Sequence, residues 1–315
     1  MDTPPEAPLR KFSNPDITAK GERRAQVALK GLETLWFNTG TLCNITCENC
    51  YIESSPRNDR LAYLGRGEVQ AFLDEASASG HPPAEIGFTG GEPFMNPDIL
   101  GMIEDSLVAG YKVLVLTNAM RPLQRLAAPL AAVATRFPGR LTLRVSLDHY
   151  TQAGHESLRG ENTWAPALEG LRWIAAEGIA VAVASRTVSS ESESALRAGF
   201  GALFAEIGLV LDPADRSRLV LFPEMTGSDD VPEITEACWG ILQKSPDSVM
   251  CATSRMVVKR KGAARPAVVA CTLLPYDPAF ELGVTLAAAA GPVKLNHRHC
   301  ARFCVLGGAS CSAHA

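Results

Sequence analysis

The chain has 315 residues, 46% of them hydrophobic and 20% charged, with a formal net charge of -4. These are globular values, and the length is long for one ordinary domain and short for two large ones. The charge offers no electrostatic footing for nucleic acid or an anionic membrane, and no apolar run approaches the roughly 20 residues that span a bilayer.

The opening residues, Met1-Asp2-Thr3-Pro4-Pro5-Glu6, are acidic and proline-rich and lack the basic and apolar regions of a signal peptide. A cytoplasmic location is expected. Nine cysteines in such a chain argue for metal or redox work, not disulfides. Residues 1–30 form an N-terminal extension with a short helix around Glu22 to Leu29. Beyond it, apolar β-rich runs alternate with helical patterns. Strands are expected at Leu35–Asn38, Glu85–Thr89, Lys112–Thr117, Leu141–Ser146, Ala180–Ala184 and Leu219–Phe222. Helices are expected at about Gly67–Ala78, Pro97–Ala109, Leu123–Arg136, Thr163–Glu177 and Ser192–Ile207. Several strands are apolar on both faces, as in a parallel sheet covered by helices. The fold class is α/β, with fewer strands than the eight of a closed barrel. Functional residues in such sheets sit at the carboxyl ends of strands.

The loop after the first strand reads Cys43-Asn44-Ile45-Thr46-Cys47-Glu48-Asn49-Cys50. Iron–sulfur clusters are commonly held by thiolates on one short loop. Three ligands on a four-iron cluster leave one iron open, and an open position is the mark of a catalytic site. A zinc knuckle with a distant fourth ligand is the alternative. After the second strand comes Gly90-Gly91-Glu92-Pro93. Two glycines let a ligand approach the backbone closely, and Glu92 can accept hydrogen bonds from a cationic amine. Asn118, after the third strand, is a candidate pocket group.

After about Pro223 the alternation stops. A linker helix is expected within 226–245, with helical character from Ile234 to Gln243, and a smaller domain at about 246–315. Cys251 and Cys271 bracket a hairpin, Met256–Lys259 and Ala267–Cys271, so both thiols can meet at its base. Lys259-Arg260-Lys261, at its turn, is the one basic cluster and reads as a solvated turn. A Leu/Ala-rich stretch from Ala279 to Ala290 reads as a helix. Cys300, Cys304 and Cys311 follow. Cys238 reads as a small buried residue. His297 and His299 read as loop residues, with cluster ligation or proton transfer as the alternative. Tyr276 and Asp277, close after Cys271, are candidates for a general acid or base.

Cys43, Cys47 and Cys50 followed by Gly90-Gly91-Glu92-Pro93 resemble the radical S-adenosylmethionine (SAM) superfamily over about residues 33–225. The resemblance implies a partial (β/α)6, TIM-like barrel at 31–225. It implies that the three thiolates hold a [4Fe–4S] cluster whose open iron chelates the amino and carboxylate groups of SAM. Reductive cleavage of SAM would yield a 5′-deoxyadenosyl radical that abstracts hydrogen from the substrate. Gly90, Gly91, Glu92 and Pro93 would help to position SAM. The family often has an aromatic residue before the third cysteine; here that residue is Asn49, and Tyr51 follows as the candidate beside SAM. Ser146-Leu147-Asp148-His149 and His155-Glu156-Ser157-Leu158-Arg159 resemble a stretch of the branch containing anaerobic sulfatase-maturating enzymes, with His149 replacing the usual glycine. By that match Ser146 and Arg159, with Asp148 beside them, attend the SAM carboxylate, which a guanidinium can grip in bidentate fashion.

The C-terminal cysteines resemble the twitch domain of enzymes such as 2-deoxy-scyllo-inosamine dehydrogenase and the related SPASM domain. This implies one auxiliary [4Fe–4S] cluster on Cys251, Cys271, Cys300 and Cys304. Cys311 is a substitute for Cys304 or Cys300, and a structural zinc is the rival occupant. The function implied is a radical SAM oxidoreductase that oxidises or dehydrogenates a small molecule, with the auxiliary cluster as electron acceptor. A flavodoxin- or ferredoxin-type protein would supply electrons. A peptide or protein side-chain maturase is the first alternative, and a non-catalytic iron–sulfur electron carrier the second.

Overall fold

The run Leu35-Trp36-Phe37 is apolar on both faces because it lies inside a sheet, with a hydrophobic layer on each side. The computed structural model describes residues 10–187, 191–223 and 230–308. In chain order its main elements are β1 (Gln26–Val27), β2 (Thr34–Asn38), α1 (Arg66–Ala78), β3 (Glu85–Thr89), α2 (Ile99–Val108) and β4 (Lys112–Thr117). Next come α3 (Arg121–Arg125), α4 (Ala127–Arg136), β5 (Leu141–Ser146), α5 (Gln152–Arg159), α6 (Trp164–Ala176), β6 (Ala180–Thr187), α7 (Glu193–Glu206) and β7 (Leu219–Pro223). The C-terminal part contributes α8 (Cys238–Leu242), β8 (Ser254–Val258), β9 (Ala267–Val269), β10 (Glu281–Gly283) and β11 (Val293–Lys294).

The main sheet has the order β10-β9-β8-β2-β3-β4-β5-β6-β7. From β8 to β7 every pairing is parallel, and β9 and β10 join antiparallel at one edge. This is the open α/β sheet of a partial barrel. The helices turn their apolar stripes to one face, including Val69, Phe72 and Leu73 of α1 and Leu196, Phe200 and Phe204 of α7. On the other face Trp36, Leu114 and Phe222 join residues of the C-terminal part, among them Met256, Val269 and Phe303, in a second apolar cluster. The hairpin that opens the C-terminal part thus extends the barrel sheet, because β8 lies parallel against β2 with Thr34 opposite Ser254.

Five expectations differ from this structure. The helix expected at Glu22–Leu29 is absent: Arg24 bridges to Thr235, and β1 pairs with β11. Long-range pairing there overrides local helix propensity. The Leu/Ala-rich stretch from Ala279 to Ala290 is not one helix. Pro278 starts a single 3-10 turn, Glu281 pairs with Val269, and Gly283 at φ +142° breaks any helix. The linker helix shrinks to Cys238–Leu242, ended by Gln243 in the left-handed region. The helix expected at Leu123–Arg136 divides at Leu126 into α3 and α4. Strand β6 runs past Ala184 to Thr187. Helix α5 was not expected, although Thr151 caps its first turn by accepting from the Gly154 N–H.

Each member of the basic run has an acidic partner. Lys259 pairs with Glu68 at 2.7 Å, Arg260 with Glu281 at 2.7 Å, and Lys261 with Asp59. The charges fasten the hairpin turn to neighbouring segments and leave no unopposed basic patch at this turn.

Gly87, in β3, packs closely against the neighbouring strand β2. A Cβ there would fall 2.3 Å from the ring of buried Trp36. Gly87→Ala is expected to destabilise the protein by about 1–3 kcal/mol through overpacking. Gly67, near the start of α1, has nothing within 4 Å of its would-be Cβ, and Gly67→Ala should stabilise by about 0.4–1 kcal/mol. Urea unfolding midpoints of the two variants should move in opposite directions; equal shifts would refute this packing account.

Candidate active site

The cysteine loop leaves β2 and is held by backbone contacts with the loop after β3. Gly91 N–H donates to Gly40 C=O at 2.8 Å, and Glu92 N–H donates to Leu42 C=O at 3.1 Å. A Cβ on Gly90 would come within 2.4 Å of the Gly40 oxygen, and one on Gly91 within 2.1 Å of the Leu42 oxygen. The two glycines are therefore needed for one loop to lie on another, whatever else approaches them. Gly90 also takes φ +142°, a conformation that side chains rarely adopt.

A cavity of about 170 Å3 opens at the carboxyl ends of the parallel strands. Its walls carry Cys43, Cys47 and Cys50, Gly90 and Gly91, Asn118, Ser146, Asp148 and Arg159. The residues singled out on four separate sequence segments thus meet at one place. Tyr51 also lines the cavity, its hydroxyl donating to Pro223 C=O at 3.0 Å and its ring packing edge-on against Phe222 and Phe303. Asn118 donates to the Asn44 side chain at 2.9 Å, with Cys43 Sγ at 3.9 Å.

Burial favours the protonated thiol at Cys43 and Cys47 in the free protein. It pushes Cys43 up to about 12. Burial also raises Cys47, against the pull of the nearby Arg159 cation. A metal centre displaces such protons when it binds thiolates. The donor set fits an iron–sulfur cluster: three cysteines of one loop, with a guanidinium beside them. Among the described residues no three His, Cys, Asp or Glu side chains converge as they would around a single metal ion. The irons of a cubane stand at separate corners, so its thiolates need not converge on one point.

Opposite the loop, Asp148 is a buried carboxylate shared by two guanidinium groups. Arg159 Nε donates to it at 2.9 Å and Arg186 Nη2 at 2.7 Å. Burial alone would raise the Asp148 carboxyl, but the Arg159 and Arg186 cations outweigh it and hold the group below its usual range. Burial likewise works against the Arg159 cation, and Asp148 again reverses the balance. Two cations against one anion leave this wall with a net positive charge. Arg186 also donates to Glu48 C=O at 2.7 Å, between the second and third cysteines. It lines the cavity too, and sequence reading missed it by ending β6 at Ala184. The signal available was a Ser-Arg pair just beyond an apolar strand.

Four candidates, Glu92, Pro93, Tyr276 and Asp277, stand outside this cavity lining. Glu92 is buried, and its carboxylate already accepts from Thr117 Oγ1 at 2.8 Å, Asn118 N–H at 2.8 Å and Phe94 N–H at 3.2 Å. Burial pushes it up to about 7 despite those donors. Its geometry is that of a joint between the loops after β3 and β4, with Pro93 opening the short turn it caps. Tyr276 donates to Ile52 C=O at 2.7 Å and accepts from Asn58 Nδ2 at 3.2 Å, with Arg60 over its ring at 3.6 Å. Asp277 caps a 3-10 turn through Ala279 N–H at 2.9 Å. Both side chains brace loops, and neither lines this cavity.

A second, apolar pocket gathers Cys251, Cys271, Cys300 and Cys304. Cys251 lies in the turn before β8, Cys271 follows β9, and the last two share a π-helical turn, Cys300–Leu306. His299 lines the same pocket, and its Nδ1 is buried without a partner. Burial pushes the Cys251 thiol up to about 11 and holds the Cys300 thiol well above its usual range. Leu273 lines both pockets and forms part of the wall between them. His297 packs its ring against Phe280 and His299. Cys238 is half-buried, its sulfur accepting from Thr235 N–H at 3.4 Å. Cys311 lies outside the described residues. No helix among the described residues is long and apolar enough to cross a membrane.

The chain resembles several known proteins. It is 29% identical over 169 residues to the mycofactocin maturase MftC of Mycobacterium ulcerans, covering 54% of this chain and 43% of that one. It is 31% identical over 146 residues to AlbA, a subtilosin biosynthesis protein of Bacillus subtilis, covering 45% of this chain and 30% of that one. The chain thus spans less than half the length of these two relatives. The crystal structure of Streptococcus suis SuiB bound to the precursor peptide SuiA shares the fold, with TM-score 0.56 and 14% identity, over 78% of this chain and 61% of that one. The Radical SAM superfamily profile matches residues 37–191, from β2 through the cysteine loop, the Gly-Gly turn and the Asp148–Arg186 wall. With that match on the same strands and loops that build the cavity, the chain belongs to the radical SAM superfamily.

Proposed function

We propose that this protein is a radical SAM enzyme that acts on a side chain of a peptide. The observation that carries the reading is the single cavity in which three thiols of one loop face a positively charged wall. Cys43, Cys47 and Cys50 would hold a [4Fe–4S] cluster, and Arg159 would take the carboxylate of SAM. The bound cluster supplies the electron that cleaves SAM reductively. Asp148 fixes the Arg159 fork, and Arg186 ties the cysteine loop to β6 through Glu48. Gly90, Gly91, Ser146, Asn118 and Tyr51 complete the bed for the cofactor. Leu116, Phe222 and Leu273 give the cavity an apolar side that helps to exclude water. The committed hydrogen bonds of Glu92 favour a structural role over recognition of the SAM amine.

A peptide substrate is supported by the names of the relatives: a maturase, a bacteriocin biosynthesis protein, and a fold neighbour crystallised with a precursor peptide. Oxidation of a small molecule, the implication drawn first from the cysteine pattern, stands second. The observation that favours it is the four-thiol pocket, which shares Leu273 with the cavity and is suited to an auxiliary [4Fe–4S] cluster that accepts an electron. A flavodoxin- or ferredoxin-type donor fits either reading. The Arg159 guanidinium beside the three thiols argues against a non-catalytic electron carrier.

Anaerobically reconstituted protein with dithionite should release 5′-deoxyadenosine from SAM, and the Cys43/Cys47/Cys50→Ala triple variant should release none. Undiminished release by the variant would sink the reading. A library of side-chain-deuterated peptides should pass deuterium into the 5′-deoxyadenosine. Transfer from small molecules alone would reverse the order of the two substrate readings.

A charge-assisted hydrogen bond contributes about 1.5–3 kcal/mol, so Arg159→Ala should weaken SAM binding by roughly 10- to 150-fold. Calorimetry or equilibrium dialysis with SAM measures this, and unchanged affinity would remove Arg159 from the site.

Iron content should be about eight per chain in the parent and about four in the triple variant, from four irons per cubane. Zinc in the C-terminal pocket would instead leave the variant colourless. Single Cys→Ala changes at 300, 304 and 311 should cost the remaining iron only at true ligands.

A further inference from the structure

The C-terminal part contains a buried cation whose partners are unlike those of the other buried arginines just described. Arg255, the second residue of β8, is 1% exposed. Its Nε donates to Ala289 C=O at 2.9 Å, Nη1 to Cys251 C=O at 2.6 Å and to Ser254 C=O at 2.8 Å, and Nη2 to Gly291 C=O at 3.0 Å. All four acceptors are peptide carbonyls. They satisfy the donors and orient the guanidinium, but they carry no net charge. Arg159 and Arg186, by contrast, share Asp148, and the buried Arg24 pairs with Glu233 at 2.6 Å. Among the described residues no carboxylate stands within ion-pair distance of Arg255.

A buried charge without a counter-charge is costly, and folded proteins rarely keep one. The groups whose ionised form acts on Arg255 as a negative charge are Cys251 and Cys271. Both line the four-thiol pocket, and the guanidinium is bonded to the carbonyl of Cys251, one of the residues that line it. Apart from the His299 ring and the cysteines themselves, the pocket lining is apolar and holds no other group that could offset thiolate charge.

We propose that Arg255 is the counter-charge of the C-terminal thiol site, compensating the negative charge that Cys251, Cys271, Cys300 and Cys304 acquire on binding a cluster and raising the reduction potential of that cluster. This rests on the reading of those cysteines as a cluster site. Four thiolates on a cubane core leave a net anion, and reduction adds one more negative charge. A fixed cation in a low-dielectric interior favours the reduced state, because net charge and hydrogen bonding set the potentials of such clusters. The arginine acts through the cysteines and touches no reacting atom, so it is a positioning and tuning residue.

The test uses the full chain carrying the Cys43/Cys47/Cys50→Ala changes, reconstituted with iron and sulfide, so that only the C-terminal cluster is read. Iron per chain and the midpoint potential, followed by EPR during redox titration, are measured for this parent and for Arg255→Met and Arg255→Lys. The expected result is a lower midpoint potential in Arg255→Met and a value nearer the parent in Arg255→Lys. If Arg255→Met loses the cluster while Arg255→Lys retains it, the charge is again what matters, and the proposal stands. Equal potentials in all three proteins overturn it. Loss of the cluster from both variants also overturns it, because the carbonyl contacts rather than the charge would then be what the site needs. A parent with no iron in the C-terminal site would refute the cluster reading itself, a result distinct from any outcome at Arg255.

Discussion

One carboxylate organises the cavity. Asp148 sits at the end of β5, Arg159 ends α5 and Arg186 lies near the end of β6, so one buried anion joins three elements. Arg186 then reaches Glu48 inside the cysteine loop, and Glu48 N–H donates to Leu158 C=O at 2.8 Å at the end of α5. The loop that presents the thiols is thus tied to the wall that faces them. Removing Asp148 would leave two guanidinium cations unmatched in a largely buried wall, a far larger cost than losing a surface ion pair. The net positive charge left over is suited to an anionic ligand group, so the same arrangement supports both folding and binding.

The second constraint is steric. The loops after β2 and β3 lie backbone on backbone, and no side chain fits between Gly91 and Leu42. Glu92 extends this joint to the loop after β4 through Thr117 and Asn118. The Gly-Gly-Glu-Pro segment therefore performs two tasks with one geometry. It shapes the rim of the cavity, and it clamps the loop that carries the thiols.

Much of this was legible in the sequence because the signals were local. Three cysteines within eight residues, and glycines directly after an apolar run, identify loops at strand ends without any knowledge of tertiary contacts. The hairpin bracketing of Cys251 and Cys271 was readable for the same reason, and the structure brings that pair together with Cys300 and Cys304. What escaped depended on partners far along the chain. Residues near Arg24 favour a helix locally but pair with strands some 200 residues later or more. Ala279–Ala290 has helical composition, yet Glu281 is taken up by β9. Tyr276 and Asp277 lie close to a cysteine in sequence, while their hydrogen bonds direct them to loops. Arg186 was missed because strand length is set by the neighbours, and Leu221–Pro223 of β7 extend β6 past its apolar run. Nothing in its own sequence marks β8 as a parallel neighbour of β2.

That last pairing bears on how the protein is made. Strand β2 is flanked by β3, about 50 residues away, and by β8, about 220 residues away. The segment after the cysteine loop closes against the same distant hairpin, with Ala62 N–H donating to Lys259 C=O at 2.7 Å. Contacts of such large sequence separation form late, since the entropy of ordering the intervening chain must be overcome first. During synthesis the Cys43–Cys50 loop therefore waits for its final enclosure until the β8–β9 hairpin has left the ribosome. The loop that carries these thiols thus reaches its final packing late, after both neighbours of β2 have paired. A fault in the C-terminal hairpin would therefore be felt at a distance, in the packing of the loop that presents Cys43, Cys47 and Cys50.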